Sequence, residues 1–400
     1  MNLLRTVLGI TAVLILSMLA ACGGGSSSPT SNSPPTLPAT SAHNYTTCNN
    51  QQVPNWRAGA FVTGYKAAVS ALINHYGSNP NVGYLRVGLG RGGETNLPHD
   101  WQDTTTPCGQ AFAAWGYTAG ADASFTWNAY LKTVMDYEGG LNWPKKLMVS
   151  LTPVWDTPKG TDIPDFVGSV ASQDGLAIGN EGLEASDIAN FNASQPCGGN
   201  WCALFAQYGG QTAPLELQTF GQSCPSGTGC VNQYSATTGP LPPLLPFAIA
   251  RGATNLEIYH QDWLIAFNPS DPNNGQYGAA YQSAIQTAAD FATMQVLFPP
   301  SGPGAPDYAP VQAYLMNNPS VSGAVIAVEW SDFDLGNGRY DFTMIDNTLQ
   351  PWINAGKKVN LVLHNTSYGS SFCPGSGAGS KGTVASNCAV PGWMWTALAQ

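Results

Sequence analysis

The feature that most constrains the fold is the alternation of short, apolar, β-prone runs with longer segments of helical periodicity. Strands that alternate with helices form a parallel sheet, because each helix returns the chain to the start of the next strand. Seven runs are predicted as strands: Val82–Leu89, Lys146–Leu151, Gly175–Gly179, Pro214–Thr219, Asn255–Tyr259, Ala324–Trp330 and Lys358–His364. Helices are predicted at Gly59–Tyr76, Ala123–Glu138, Asp162–Ser172, Leu241–Arg251, Tyr277–Leu297 and Phe342–Ala355.

This pattern predicts an α/β fold, and the stretch His43–Gln400 has the length of one (β/α)8 barrel. No internal segment is long and polar enough to be a convincing linker, so we expect one domain. The eighth strand is expected near Tyr45–Val53 or close to the C-terminus. An open doubly wound sheet is the alternative, and the absence of a Gly-rich nucleotide fingerprint after any strand argues against it.

The N-terminus has the features of an export signal. Arg5 precedes the apolar run Val7–Leu19, which is too short to span a bilayer. The residues Leu19-Ala20-Ala21-Cys22 resemble the bacterial lipobox, which implies cleavage after residue 21 and lipidation of Cys22. An ordinary secretory signal is the alternative. Because Gly23 is not aspartate, the resemblance implies an outer-membrane anchor, and residues 22–42 are expected to be a flexible Gly/Ser/Pro tether.

Eight cysteines remain besides Cys22, and an even number in an exported chain favours disulfides. The simplest pairing joins cysteines that are close in sequence and leaves one distant pair by elimination, although eight cysteines allow many other connectivities. The expected pairs are Cys197/Cys202, Cys224/Cys230, Cys373/Cys388 and Cys48/Cys108. No zinc spacing is present.

The charge balance excludes polyanionic partners. The chain has 14 Lys and Arg residues against 24 Asp and Glu, a net charge of −10, which argues against nucleic acid and favours a neutral substrate. Its 12 Trp and 16 Tyr residues could stack on sugar rings or simply fill a large core. We expect a monomer without a cofactor.

Several C-terminal motifs resemble the beginning of a clan-A glycoside hydrolase barrel, such as that of family 42 β-galactosidases. The strand Ala324–Trp330 is followed by a G-x-Y-D-F turn at Gly338–Phe342 and by a second strand after a G-K-K-V motif that starts at Gly356. Pro391-Gly392-Trp393 resembles the P-x-W loop that follows that family's second strand.

The N-terminal half resembles the continuation of the same barrel. Pro54-x-Trp56, a helix, the strand Val82–Leu89 and the triplet Gly92-Gly93-Glu94 follow in order, and the triplet matches the place where the fourth strand of the clan delivers its acid/base glutamate. The resemblance therefore implies a circularly permuted strand order, which adjacent chain ends would permit.

Glycosidic bond hydrolysis needs two carboxylates at the C-terminal ends of barrel strands, where Glu94, Glu181, Glu216, Glu257 and Glu329 are candidates. The resemblance implies that Glu94 is the acid/base and that the nucleophile follows three strands later, which selects Glu216. Aligned on Phe220-Gly221, that place would instead fall on Thr219. For Glu94 the alternative is a loop carboxylate that caps a turn, and for Glu216 it is a barrel-interior glutamate paired with an arginine.

Glu257 is the reserve nucleophile or a sugar-hydroxyl acceptor. Neighbouring strand ends supply the other predicted substrate-binding residues: Arg91, Asn180, Glu181, His260, Asp262, Trp263 and Trp330. The segment Asp332–Gly338 is only faintly similar to a calcium loop because it lacks the terminal glutamate, so no metal is expected. An esterase is poorly supported, since no G-x-S-x-G elbow is present.

These observations favour a retaining β-glycosidase that acts on a neutral poly- or oligosaccharide at the cell surface. The alternatives are a non-catalytic carbohydrate-binding lipoprotein on the same scaffold and a structural or adhesive surface protein. A retaining pair should lie about 5–5.5 Å apart. We further expect the pKa of Glu94 to be raised and hydrogen bonds to keep Glu216 ionised.

Overall fold

The structure is a computed structural model that describes residues 43–48, 51–98, 100–117, 126–143, 146–152, 162–191, 201–208, 215–227, 233–298, 308–366 and 389–400. The predicted signal peptide, Cys22 and the tether lie outside the described residues. None of the described helices is long and apolar enough to cross a membrane.

Eight parallel strands close into a barrel, as the alternating pattern predicts. They are β3 (Val82–Val87), β4 (Lys146–Ser150), β5 (Ala177–Leu183), β6 (Leu215–Thr219), β7 (Asn255–Tyr259), β8 (Thr293–Leu297), β9 (Gly323–Glu329) and β12 (Lys358–His364). Around the barrel the order is β12-β3-β4-β5-β6-β7-β8-β9, and the last of these pairs again with β12. The fold is a TIM-type α/β barrel.

Two small antiparallel hairpins lie outside the barrel. The first joins β1 (Tyr45–Cys48) to β2 (Gln51–Pro54), and the second joins β10 (Asp334–Gly336) to β11 (Arg339–Tyr340). Gly336 and Gly338 adopt positive φ values on either side of Asn337, itself at φ 56, which permits the tight second turn.

Helices surround the strands. They are α1 (Gly59–Tyr76), α2 (Pro107–Ala114), α3 (Thr126–Gly140), α4 (Asp162–Asp174), α5 (Ala185–Phe191), α6 (Trp201–Tyr208), α7 (Gln233–Thr238), α8 (Leu241–Ala250), α9 (His260–Phe267), α10 (Ala279–Ala289), α11 (Ala309–Met316), α12 (Thr343–Asn354) and α13 (Gly392–Leu398). The stripe of Tyr65, Val69, Leu72 and Tyr76 on α1 is buried, as its helical spacing predicts.

The eighth strand is not where the sequence suggested. The predicted helix Tyr277–Leu297 is in fact a helix that ends at Ala289 and a strand, Thr293–Leu297, only four residues later. This strand separates β7 from β9, so the expected pairing of Ala324–Trp330 with Asn255–Tyr259 is wrong. The expected pairing of Ala324–Trp330 with Lys358–His364 is confirmed.

The chain ends meet, and the barrel closes across them. The Asn44 amide donates to the carbonyl of Leu398 at 2.8 Å. Val359 of β12 pairs directly with Val82 of β3, so no strand lies between them. Counted from β9, β3 is therefore the third strand, and the assignment of Val82–Leu89 to the fourth position is wrong.

One expected disulfide is present: Cys48 and Cys108 are bonded and fasten the first hairpin to α2. Cys224 is also disulfide-bonded. The side chains of Cys197, Cys202, Cys230, Cys373 and Cys388 lie outside the described part of the chain.

The barrel wall separates two kinds of interior. The main hydrophobic core lies between the outer faces of the strands and the helices. Among the described residues inside the barrel, apolar side chains form two small clusters, Tyr84 with Met148 and Ala177, and Leu297 with Val325 and Val362. The other buried side chains that meet across the barrel include several polar and charged ones. These side chains are the candidates for a functional site.

Candidate active site

Arg86 is the centre of a charged cluster inside the barrel. It lies on β3, where inward-facing residues alternate with outward-facing ones, so Tyr84 and Arg86 share the inner face. Arg86 is 4% exposed, and its guanidinium reaches strands across the barrel. Its Nη1 atom lies 3.0 Å from Glu181, 3.1 Å from Glu216 and 3.3 Å from Glu257. We call these four residues the Arg86 cluster.

The contacts within the Arg86 cluster are not equivalent. The two hydrogens of Nη1 are donated to Glu216 Oε2 and Glu257 Oε2, and Nη2 donates to Gln218 Oε1 at 3.3 Å. The contact with Glu181 Oε1 is thus an ion pair without a hydrogen bond, and this buried oxygen accepts no hydrogen bond from any described residue.

Glu181 is the member of the Arg86 cluster that lies nearest solvent. It is 8% exposed, whereas Glu216 and Glu257 are 0% exposed. Its other oxygen, Oε2, accepts hydrogen bonds from the hydroxyls of Ser150 and Thr152, which lie at the end of β4. These donors hold the carboxyl group in one orientation at the C-terminal end of the barrel, while Oε1 keeps its acceptor capacity for another group.

Glu216 and Glu257 lie deeper. The hydroxyl of Tyr84 donates to Glu257 Oε1, so both oxygens of Glu257 accept hydrogen bonds. Glu216 accepts one, on Oε2, and its Oε1 has no partner among the described residues. This position matches the alternative for Glu216, a barrel-interior glutamate paired with an arginine. The catalytic role of Glu216 is untested.

Burial dominates the electrostatics of the Arg86 cluster. Desolvation raises the pKa of Glu216 well above its ordinary value, and the charge of Glu257 adds to this effect while Arg86 opposes it. Burial also raises the pKa of Glu257, against the opposing effects of Arg86 and the Tyr84 hydroxyl. The predicted ionised state of Glu216 is therefore opposed by complete burial, and Arg86 is the one charged donor that favours it.

Glu94 lies on a rigid loop at the mouth of the barrel. Its carbonyl accepts from the amides of Leu89 and Gly90, and its carboxyl accepts from the side chain of Asn96. Gly92 and Gly93 both have positive φ, and a Cβ on Gly93 would lie 2.6 Å from the ring of His364. The glycines therefore permit the sharp bend that brings Glu94 over the mouth.

Two further polar side chains stand between the loop and the Arg86 cluster. Burial raises the pKa of Tyr259 to about 12, and the negative charges of Glu94, Asp262 and Glu257 add to the effect. His364 is buried on β12, and burial together with the charge of Arg86 lowers its pKa to about 3, so its ring is neutral at physiological pH.

Several predicted substrate-binding residues have structural roles instead. Trp263 and Trp330 are 0% exposed and pack in the hydrophobic core, which disfavours their predicted contact with a sugar. Both were placed by their nearness to strand ends, and their large apolar rings are buried behind the strands. Asn180 donates to the carbonyl of Leu151 and accepts from the amide of Gly182, which uses its side chain to fix the backbone.

His260 and Asp262 are buried on α9. The ring of His260 stacks on Phe298, and burial lowers the pKa of His260 to about 4. Asp262 accepts hydrogen bonds from the amide and hydroxyl of Ser223, while burial raises its pKa to about 7. These contacts join α9 to its surroundings. Arg91 pairs its backbone with Asn96 at the mouth, where its side chain is partly exposed.

Sequence reasoning missed Arg86, Tyr84, Gln295 and Asn360. Asn360 donates to Gln295 at 2.5 Å, and Gln295 also contacts the Tyr84 hydroxyl at 3.4 Å, which extends the polar network across the barrel. The signal that could have found them is a polar residue at alternate positions of an otherwise apolar strand, as in Tyr84 and Arg86 of Val82–Val87.

Within the described ranges, one group of three residues has the spacing of a metal site: Cys48, Asp100 and Cys108. Both cysteines are consumed by their disulfide, so no thiolate is available.

Comparison with known proteins found no matching family model, no matching curated protein and no matching solved structure.

Proposed function

We propose that the chain is a glycoside hydrolase that cleaves β-glycosidic bonds of a neutral poly- or oligosaccharide with two carboxylates. The observation that carries the proposal is Glu181, an oriented carboxyl group at the mouth of an α/β barrel with one buried oxygen that accepts no hydrogen bond from the described residues. A bound sugar hydroxyl could donate a hydrogen bond to that oxygen, or the oxygen could attack the anomeric carbon. The C-terminal motifs that resemble those of clan-A glycosidases support the same chemistry, whereas Glu94 is assigned from its place at the mouth, because β3 is the third strand and not the fourth.

The geometry favours Glu181 over Glu216 as the nucleophile. Glu216 is completely buried, and a substrate would have to displace other members of the Arg86 cluster to reach it. Glu181 lies beside Arg86, which can stabilise the negative carboxylate before attack and again when water releases it from the covalent glycosyl-enzyme intermediate. Glu94, on the loop over the mouth, is the proposed acid/base.

The test is turnover of a panel of aryl β-glycosides and neutral glycans, with product configuration followed by NMR. The wild type should retain the anomeric configuration of the substrate in its product. Glu181→Gln should abolish turnover, and Glu94→Gln should most impair substrates with poor leaving groups. Asp136→Asn, which alters an exposed carboxylate on α3, is the matched control and should behave as wild type.

Azide rescue separates the two carboxylates. An external anion can replace a missing nucleophile, so Glu181→Gly with azide should give a glycosyl azide of inverted configuration. If the wild type turns over no member of the panel and binds glycans in a Glu181-dependent way, the protein is a carbohydrate-binding protein, and hydrolysis is refuted.

The finer points of fold and location are part of the same proposal. The adjacent chain ends at Asn44 and Leu398 support a circularly permuted barrel. A variant that joins Gln400 to His43 and begins just before β9 should therefore fold. The lipobox supports an outer-membrane lipoprotein anchored through Cys22. Cys22→Ser should abolish palmitate labelling and release the protein from the membrane fraction.

A further inference from the structure

The Arg86 cluster brings three carboxyl groups together with one guanidinium in a space where all four side chains are at most 8% exposed. If all three carboxyl groups were ionised, the cluster would carry two uncompensated negative charges. Burying uncompensated charge costs several kcal/mol per ion even after relaxation, so the cluster is expected to bind a proton. The hydrogen bonds indicate where this proton resides.

Counting donors separates the three carboxyl groups. Glu257 accepts on both oxygens, from Tyr84 and from Arg86. Glu181 accepts two hydroxyl hydrogen bonds on Oε2, and its Oε1 lies 3.0 Å from the guanidinium nitrogen. Glu216 Oε1 has neither a hydrogen-bond donor nor a cation partner among the described residues, although it is completely buried.

The space around Glu216 is closed. Gly179 faces it from β5, where an added Cβ would lie 2.2 Å from Glu216 Oε2. The titratable groups that face Glu216 are Tyr84 and Arg86 from β3, Glu181 from β5 and Glu257 from β7. A carboxylate in this position would leave Oε1 charged, buried and without a donor, whereas a carboxylic acid carries its own hydrogen there.

We propose that Glu216 keeps its proton at neutral pH and is a positioning residue for Arg86. As a neutral acid, Glu216 accepts one hydrogen bond from Nη1 and adds no negative charge. The positive charge of Arg86 is then shared by the buried Glu257 and by Glu181 at the mouth. The part of the inference that concerns Glu181 rests on the proposed function. The raised pKa of Glu216 is consistent with this protonation.

Glutamine replaces a protonated glutamate with little change in shape or charge, so the test compares Glu216→Gln with Glu257→Gln. Infrared difference spectra against wild type at pH 7 should show loss of a carboxylic-acid band for Glu216→Gln and loss of a carboxylate band for Glu257→Gln. Other buried acids, such as Glu138, cancel in the difference. Loss of a carboxylate band in Glu216→Gln, or loss of the acid band in Glu257→Gln, overturns the proposal.

Thermal melting provides a second readout. Glu216→Gln should melt within about 2 °C of wild type, and Glu257→Gln should melt at least about 5 °C lower because Arg86 loses a charged partner. A Glu216→Gln chain that fails to fold, or that melts as low as Glu257→Gln, contradicts a neutral Glu216.

An activity measurement tests the positioning role. Glu216→Ala should lower kcat about tenfold or more, and Glu216→Gln should restore most of it, because the amide again accepts from Arg86. If glutamine gives no more activity than alanine, Glu216 does not position Arg86 through this hydrogen bond. Should no substrate be found, the proposed function fails, while the infrared and melting results still decide the protonation of Glu216.

Discussion

Replacing Arg86 with methionine removes the cation that three buried carboxyl groups share. Methionine keeps much of the side-chain volume, so the main change is electrostatic. The variant loses two hydrogen bonds to carboxyl groups, at 3.1 and 3.3 Å, and one to Gln218 at 3.3 Å. At about 1.5 kcal/mol each, these three bonds give a loss of about 4.5 kcal/mol, within the ~3–5 kcal/mol that accompanies removal of one partner from a buried ion pair.

The loss should depend on pH. Burial raises the pKa of Glu257 and Arg86 opposes this rise, so without Arg86 the pKa of Glu257 in the folded state rises further above its unfolded value of about 4.3. A carboxyl group with a raised folded pKa favours folding below its unfolded pKa and loses this contribution as pH rises through the folded pKa. One additional proton bound by the folded variant changes stability by about 1.4 kcal/mol per pH unit, so over two pH units the loss at pH 5 should be up to about 2.8 kcal/mol smaller than at pH 7.

The assay is urea denaturation of wild type and Arg86→Met at both pH values. Arg339→Met, at an exposed position on β11, is the control and should change the free energy of unfolding by less than about 0.5 kcal/mol. An equal loss at pH 5 and pH 7 would show that the effect is packing rather than charge. A loss as small as that of the control would refute the cluster as an electrostatic unit.

Three further predictions concern stability. Burial raises the pKa of Asp262 to about 7 in the folded state, so the wild type should lose on the order of 3 kcal/mol of stability as pH rises from 4 to 8. Thermal melts across that range should show that Asp262→Asn removes most of this loss. Parallel curves of stability against pH for the two proteins would contradict the prediction. Gly179→Ala should lower the free energy of unfolding by about 1–3 kcal/mol, because its Cβ would lie 2.2 Å from a buried carboxyl oxygen. Gly140→Ala, where an added Cβ meets open space, is the control and should not destabilise the protein. Equal denaturation midpoints for the two variants would refute the close packing at Gly179. Replacing Cys48 and Cys108 with serine should cost about 4 kcal/mol, from the loop entropy of a 60-residue separation, and an unchanged melting temperature would show that the bond adds no stability.

The fold could be predicted further from the sequence than the site could. Apolar runs followed by helical periodicity identify seven of the eight barrel strands, because the apolar residues of each strand indicate that it is buried. The eighth, Thr293–Leu297, follows a helix so closely that its apolar residues merge into the helical pattern. The position of Glu94 after a glycine-rich bend could also be predicted, since the turn needs those glycines.

The grouping of the polar residues could not be predicted in the same way. Glu181, Glu216 and Glu257 each stand near a strand end in the sequence and look alike as catalytic candidates. Their difference in exposure and in hydrogen bonds arises from the stagger between neighbouring strands, which places Glu216 opposite Gly179 and Glu257 opposite Gln295. Strand stagger is a property of the closed barrel and of no single strand.

By itself, the sequence determined that this chain forms an α/β fold around a parallel sheet, because the alternation of strand and helix is local and each element carries its own periodicity. Only the tertiary structure decided which carboxyl group lies at the mouth and which lie beneath it on Arg86. Residues 86, 181, 216 and 257 are far apart in the chain, and closure of the barrel brings their charges within about 3 Å of one nitrogen atom. At that distance and with that burial, the three carboxyl groups compete for a single cation.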